Sequence, residues 1–245
     1  VECIQIFDEV LTSLKLPGFA IKINNRKILS GIAQKSGADD HLITIVTAID
    51  KLDKIGEQGV ISELKQKNVP ISAINILQPL LTFSGSNAEK MKRMWDFLEG
   101  SEIGMSGMNE LQQVLDHISE LGLHRGRLEF DMTLARGLNY YTGAIFEVTV
   151  DDVKMGSICG GGRYDDLTAQ FGLKDVSGIG ISFGADRIYD VLNELDLFPN
   201  TTESSISYLL LNFGGEDMIS SLDLAQKIRQ KGLDCELYPS KAKIQ

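Results

Sequence analysis

Between Gly178 and Arg187 the chain reads Gly-Ile-Gly-Ile-Ser-Phe-Gly-Ala-Asp-Arg, small residues alternating with large apolar ones. Successive side chains on a strand point to opposite faces, so this pattern predicts a strand with one apolar face and one nearly bare face. A strand of glycines suggests a flat platform for a planar group. Arg187, at the start of the helix expected next, is placed to meet an aromatic base or a phosphate. A dinucleotide-binding fingerprint would put G-x-G-x-x-G in the turn between strand and helix. Here the spacing is G-x-G-x-x-x-G and the glycines lie within the strand, which disfavours a Rossmann site.

Two further clusters precede this one. Leu134-Ala-Arg136-Gly137-Leu138-Asn139-Tyr140-Tyr141-Thr-Gly143 joins an arginine to two adjacent tyrosines. Were the segment a strand, Tyr140 and Tyr141 would face opposite ways, one in the core and one lining a pocket with its hydroxyl. A core tyrosine beside a surface arginine is the plainer alternative. Gly160-Gly161-Gly162-Arg163-Tyr164-Asp165-Asp166 is a glycine run that lets backbone approach a ligand closely, or else forms a pliant hairpin tip.

The rest of the chain frames these clusters. Glu2 to Leu14 carries Ile4, Phe7, Val10, Leu11 and Leu14 at helical spacing, and Pro17-Gly18 ends it. Phe19 to Ile23 alternates like a half-buried strand, and Asn24-Asn25 reads as a turn. From Arg26 to Leu121 the text is helical, with amphipathic stretches at His41–Lys54, Val60–Lys67, Ile71–Phe83, Asn87–Leu98 and Met108–Leu121 and a helix cap expected within Ser84–Lys90. Strands are expected at Arg127–Asp131, Ala144–Val150, Gly156–Cys159 and Gly178–Phe183. Helices are expected at Tyr164–Phe171 and Ala185–Leu195. The segment from Phe198 to Ser205 reads as a linker. Ile206–Asn212, Glu216–Lys231 and Asp234–Leu237 then read as strand, helix and strand, the start of a parallel βαβ unit. The fold class is α+β: a largely antiparallel sheet with helices packed on it, plus a helical block and the opening of an α/β domain.

Composition narrows the function classes. A net charge of −10 over 245 residues argues against non-specific coating of nucleic acid, while leaving room for a local basic patch. Cys3, Cys159 and Cys235 are few and scattered, so neither a disulfide framework nor zinc is expected, and free thiols suggest the cytoplasm. His41, His117 and His124 lack ligand spacing. No apolar run is long enough for a transmembrane helix. The start, Val-Glu-Cys-Ile-Gln, has no signal-peptide pattern and no initiator Met, and reads as a cut within an element.

In order and spacing, Arg-Gly-Leu-Asn-Tyr-Tyr, then Gly-Gly-Arg-Tyr-Asp, then Gly-x-Gly-x-x-x-Gly-x-Asp-Arg resemble the two histidine-specific motifs and motif 3 of histidyl-tRNA synthetases. The resemblance implies a partial class II synthetase catalytic domain in segments 1–25 and 123–198. A helical insertion domain would occupy 26–122, a linker 199–205, and a partial anticodon-binding domain 206–245. It implies that histidine is activated with ATP and Mg²⁺ to histidyl-adenylate and transferred to tRNA(His), in a protein that dimerises with itself. Arg136 would bridge the histidine carboxylate and the α-phosphate. Tyr140, Tyr141, Gly161, Gly162 and Tyr164 would hold histidine, the tyrosines bounding its imidazole. Gly180, Gly184 and Arg187 would hold ATP. Lys227, Arg229, Lys231, Lys241 and Lys243 could face RNA, or simply form a solvated face. The family's motifs 1 and 2 have no counterpart here, so the chain alone is expected to be inactive. Similar chains also serve as a non-catalytic subunit of ATP phosphoribosyltransferase or as uncharged-tRNA sensors in kinases. Such paralogues are expected to degrade the arginine and tyrosine motifs, which stand intact here. An unrelated nucleotide-binding protein is the third reading.

Overall fold

The computed structural model describes residues 1–137, 140–198 and 206–241. They form two compact units, 1–197 and 198–245.

The first unit opens with helix α1 (Glu2–Ser13), strand β1 (Phe19–Asn25) and helix α2 (Arg26–Ser36). Helices α3 (Leu42–Ile49), α4 (Leu52–Gln66), α5 (Ile71–Leu77), α6 (Asn87–Leu98) and α7 (Glu102–Leu121) follow. Then come β2 (Arg127–Phe130), β3 (Ala144–Val150), β4 (Cys159–Tyr164), β5 (Gly178–Phe183) and α8 (Ala185–Glu194). The strand order is β2-β1-β3-β4-β5. The β1–β2 pair is parallel and the other three pairs are antiparallel.

Local chemistry sets the helix starts. The Ser86 hydroxyl accepts from the Glu89 amide while the Glu89 carboxylate accepts from the Ser86 amide, a capping box that begins α6 within the stretch where a cap was expected. Asn24 and Asn25 are the last residues of β1 rather than a turn. Both are buried, and the Asn25 side chain accepts from the Lys27 amide to cap α2. The α2–α7 crossing depends on missing side chains. A Cβ on Gly31 would lie 2.6 Å from the Gly104 Cα, so the two backbones touch.

The register separates two faces of the sheet. Phe19, Ile21 and Ile23 of β1, Phe130 of β2 and Phe146 and Val148 of β3 share one face and are fully buried or nearly so. Phe7 of α1 meets Phe183 of β5 edge-on, with ring centroids 5.4 Å apart. Asp8 of the same helix is 1% exposed, and its carboxylate accepts the backbone amides of His124, Arg125 and Gly126. It thereby fixes the turn that leads into β2.

The opposite face is polar and glycine-rich. One cross-strand row reads Lys22–Glu147–Gly160–Ser182, and the next reads Asn24–Ile145–Gly162–Gly180. Two elements around the glycine run, a strand and a helix, differ from expectation. The strand placed at Gly156–Cys159 instead begins at Cys159 and runs to Tyr164, so the glycine run is strand and not a hairpin tip. The helix expected over Tyr164–Phe171 shrinks to a 3₁₀ turn at Leu167–Phe171, because Tyr164 is paired with Gly178 in the sheet.

The second unit, within its described residues, pairs strands β6 (Tyr208–Leu210) and β7 (Cys235–Leu237) in parallel, joined by helix α9 (Glu216–Gln230). Two of its cations are committed within the unit: Lys227 bonds Asp223 at 2.6 Å, and the Arg229 Nε donates to the Cys235 carbonyl at 2.9 Å. Lys243 lies outside the described residues. Among the described residues no helix is long and apolar enough to cross a membrane.

Candidate functional site

The segment after β2 folds over the glycine-rich face because β1 holds it there. The Asn24 side-chain amide donates to the Met132 and Leu134 carbonyls at 3.2 and 2.8 Å. On the same face Lys22 pairs with Asp131 at 3.0 Å. Burial works against the Asp131 carboxylate, but Lys22 and the Thr133 hydroxyl outweigh it and hold its pKa below the ordinary value. Burial likewise opposes the Lys22 ammonium, yet Asp131, Asp53 and Glu147 raise its pKa.

This anchoring delivers Arg136 to the floor of β4. Its guanidinium donates to the Ser157 hydroxyl at 2.8 Å and pairs with Glu147 at 3.4 Å. It lies over Gly160, where a Cβ would stand 3.0 Å from its Nη1. Arg187, at the start of α8, reaches back to the same place and donates to the Ser157 carbonyl. Arg136 and Arg187 thus border one open hollow of about 170 Å³, lined also by Ser157, Gly160, Ser182 and Gly184. Cys159 also lines this hollow. Burial pushes its thiol pKa up to about 12, which keeps it protonated and poorly nucleophilic at neutral pH.

Tyr140 and Tyr141 do not straddle a strand as the alternation argument required. Both amides donate to the Gly137 carbonyl, and Gly137 takes the left-handed conformation (φ 62°) that closes this turn. The two rings therefore lie together, with centroids 4.3 Å apart. Tyr140 is 45% exposed, while Tyr141 rests against Gly162, where a Cβ would meet its ring at 2.7 Å. Burial, then a hydrogen bond with Tyr140, push the Tyr141 phenol above its ordinary pKa, so it stays a neutral hydroxyl. Leu138 and Asn139 of this motif lie outside the described residues.

Tyr164 occupies the platform expected from the Gly178–Gly180 alternation. A Cβ on Gly178 would fall 2.2 Å from its ring, and one on Gly180 would fall 3.1 Å from its hydroxyl. Gly161 alternates to the apolar side, where a Cβ would lie 2.4 Å from the Gly180 carbonyl oxygen. Gly184 sits at the start of α8, its amide bonded to the Ile158 carbonyl at 2.8 Å.

The structure thus brings Arg136, Tyr141, Gly162, Tyr164, Gly180, Gly184 and Arg187 together along one side of β4 and β5. Sequence reasoning missed Glu147, Ser157 and Ser182. Glu147 carried a signal, as a lone acid in the apolar strand Ala144–Val150; Ser182 acquires significance only from the register, and Ser157, in the loop before β4, only from the two arginines that bond it. Among the described residues no group of three or more His, Cys, Asp or Glu is placed to hold a metal ion.

The sequence model of the family described as Histidyl-tRNA synthetase matches residues 1–188. A histidine–tRNA ligase from Flavobacterium johnsoniae is 54% identical over 245 residues, covering 100% of this chain and 52% of that protein. The chain therefore spans about half the length of the curated relatives it matches. The crystal structure of histidyl-tRNA synthetase from Nostoc sp. PCC 7120 superposes with a TM-score of 0.73 at 30% identity, over 98% of this chain and 57% of that one. A structure described as an ATP phosphoribosyltransferase regulatory subunit/histidyl-tRNA synthetase from Bacillus halodurans C superposes at a TM-score of 0.65 over 95% of this chain and 57% of that one. At 20% identity it shows the shared fold alone.

Proposed function

Because the chain belongs to the histidyl-tRNA synthetase family, we propose that it supplies a large part of the active site of a histidine–tRNA ligase, the enzyme that activates histidine with ATP and transfers it to tRNA(His). The observation that carries this reading is the convergence of Arg136 and Arg187 on one hollow, with Tyr141 and Tyr164 over neighbouring glycines of the same face.

In this reading ATP phosphates enter the hollow between the two guanidiniums. The histidine carboxylate attacks the α-phosphate, a P–O bond forms, and pyrophosphate leaves. Arg136 bridges carboxylate and α-phosphate, since a permanently charged, forked donor can serve oxygens on both. Its present partners, Ser157 and Glu147, hold it facing the hollow. Gly180, Gly184 and Arg187 hold ATP, with Arg187 against the adenine or the γ-phosphate. Catalysis of phosphoryl transfer rests mainly on positioning and charge neutralisation.

Arg136 and Tyr141 stand over Gly160 and Gly162, two residues apart on a strand, so their anchor points are about 7 Å apart. That suits one amino acid, with carboxylate at the arginine and ring between Tyr141 and Tyr164. Tyr140 borders this pocket, and Gly161 and Gly162 supply backbone beside it. A pocket of paired polar groups rejects side chains that leave its hydroxyls unsatisfied. Mg²⁺ would be held chiefly by the phosphates, with Glu147 a carboxylate at the edge; bound there it would neutralise phosphate charge. The reading assigns no role to zinc. The intact protein would work in the cytoplasm as a homodimer, with the second unit contributing to tRNA binding.

Amino-acid-dependent ATP–pyrophosphate exchange by the intact protein, tested with all twenty amino acids, checks the reading. Exchange with histidine alone is expected. Exchange with another amino acid, or with none, would overturn it.

A further inference from the structure

The two tyrosines of the pocket lie far apart in sequence, yet the residues that follow each of them are bonded to one another. The Thr142 hydroxyl donates to the Asp165 carboxylate at 2.6 Å and accepts from the Asp165 amide at 3.1 Å. The Thr142 amide donates to the Arg163 carbonyl at 2.8 Å. The Arg163 Nε closes the set on the Asp165 carboxylate at 3.0 and 3.3 Å. The stem of Arg163 packs on Gly143, where a Cβ would come within 2.9 Å of its Cδ. The turn carrying Tyr141 and the end of β4 carrying Tyr164 are thereby one clamped unit.

Arg163 and Asp165 keep about half and two-fifths of their side chains exposed. Exposed ion pairs of this kind contribute little to stability. The clamp's geometric consequence is larger. It couples the Tyr141 ring over Gly162 to the Tyr164 ring over Gly178 and Gly180, and so sets the gap between the two phenols.

We propose that Thr142 and Asp165 are specificity-determining positioning residues that fix this gap to the width of the amino-acid side chain. The proposal rests on the reading of the site as a histidine pocket. It predicts an effect confined to the amino-acid end, because Arg136 and Arg187 are held by other groups, Ser157 and Glu147.

The test uses Thr142→Val, Asp165→Asn and Thr142→Ser in the intact protein, with pyrophosphate-exchange kinetics and thermal melts. Thr142→Val and Asp165→Asn are expected to raise KM for histidine roughly tenfold or more, as small misplacements of a binding group do. KM for ATP and the melting temperature should stay close to wild type, and Thr142→Ser should restore the histidine KM. An unchanged histidine KM, an equal rise in both KM values, or loss of folding in both variants would overturn the proposal. Should the wild-type protein show no histidine-dependent exchange, the functional reading itself falls, and the clamp with it. Wild-type exchange with indifferent variants removes only the clamp.

Discussion

Lys22 and Glu147 are direct cross-strand partners, and each holds a different part of the segment that covers them: Lys22 holds Asp131, and Glu147 holds Arg136. Adjacent strands thus anchor the two ends of one short segment, and the guanidinium is aimed before any substrate arrives. Preorganised charge of this kind contributes more to catalysis than charge that must be gathered during the reaction. Arg136→Lys keeps the charge and loses the fork. Pyrophosphate exchange at saturating histidine and ATP is expected to fall roughly 10²- to 10³-fold in kcat. A kcat within a factor of two of wild type would remove Arg136 from the proposed chemistry.

The Lys22–Asp131 pair also gives stability a pH dependence. The Asp131 pKa is depressed in the folded protein, so its contribution is present above the unfolded aspartate value of about 4 and is lost as pH falls through the lower folded value. The Lys22 pKa is raised, so its contribution is complete below the unfolded lysine value and fades only as pH climbs through the higher folded one. Between these limits the bridge is intact. Thermal melts across acid pH should fall less steeply for Asp131→Asn than for wild type; parallel slopes would show that Asp131 is not responsible.

Gly161 tests the other side of the sheet. An alanine there would place its Cβ 2.4 Å from a backbone oxygen of β5, which no side-chain rotation can relieve. Gly161→Ala is expected to cost about 1–3 kcal/mol, read as a fall of several degrees in melting temperature. A wild-type melting temperature would mean that β4 and β5 part without penalty.

Asp8 is a buried acid that serves the fold rather than the site. Asp8→Ala strands three backbone amides in the turn before β2. A loss of about 2–4 kcal/mol is expected in denaturant unfolding. A change under about 0.5 kcal/mol, the scale of an ordinary surface substitution, would show that water replaces the carboxylate.

The alternation of Gly178 to Phe183 was enough to place β5, its bare face and its apolar face, because a period of two is a local property of backbone geometry. The pattern of Ala144 to Val150 served equally well for β3. The glycine run was harder. Gly160 to Gly162 has no alternation to read, and only its partners on both sides, Glu147, Phe146 and Ile145 of β3 and Ser182, Ile181 and Gly180 of β5, hold it as strand. Tyr140 and Tyr141 were misjudged for a related reason: nothing local says that Gly137 will turn left-handed and bring both rings to one side. Glu147 and Ser182 enter the site through register, and Ser157 through its bonds to Arg136 and Arg187, none of which a single sequence prints.

The parallel neighbours β1 and β2 are separated in sequence by the whole helical stretch 26–126. Sheet closure therefore waits on the ends of a very long loop finding each other, an entropic cost that slows folding. The bare contact of α2 with α7 at Gly31 and Gly104 shortens that search, since α2 leaves β1 directly and α7 ends just before β2. Two glycines that line no part of the hollow between Arg136 and Arg187 are thereby expected to bear on how fast the sheet closes: a side chain at either would hold α2 and α7 apart and leave the apolar strands uncovered for longer.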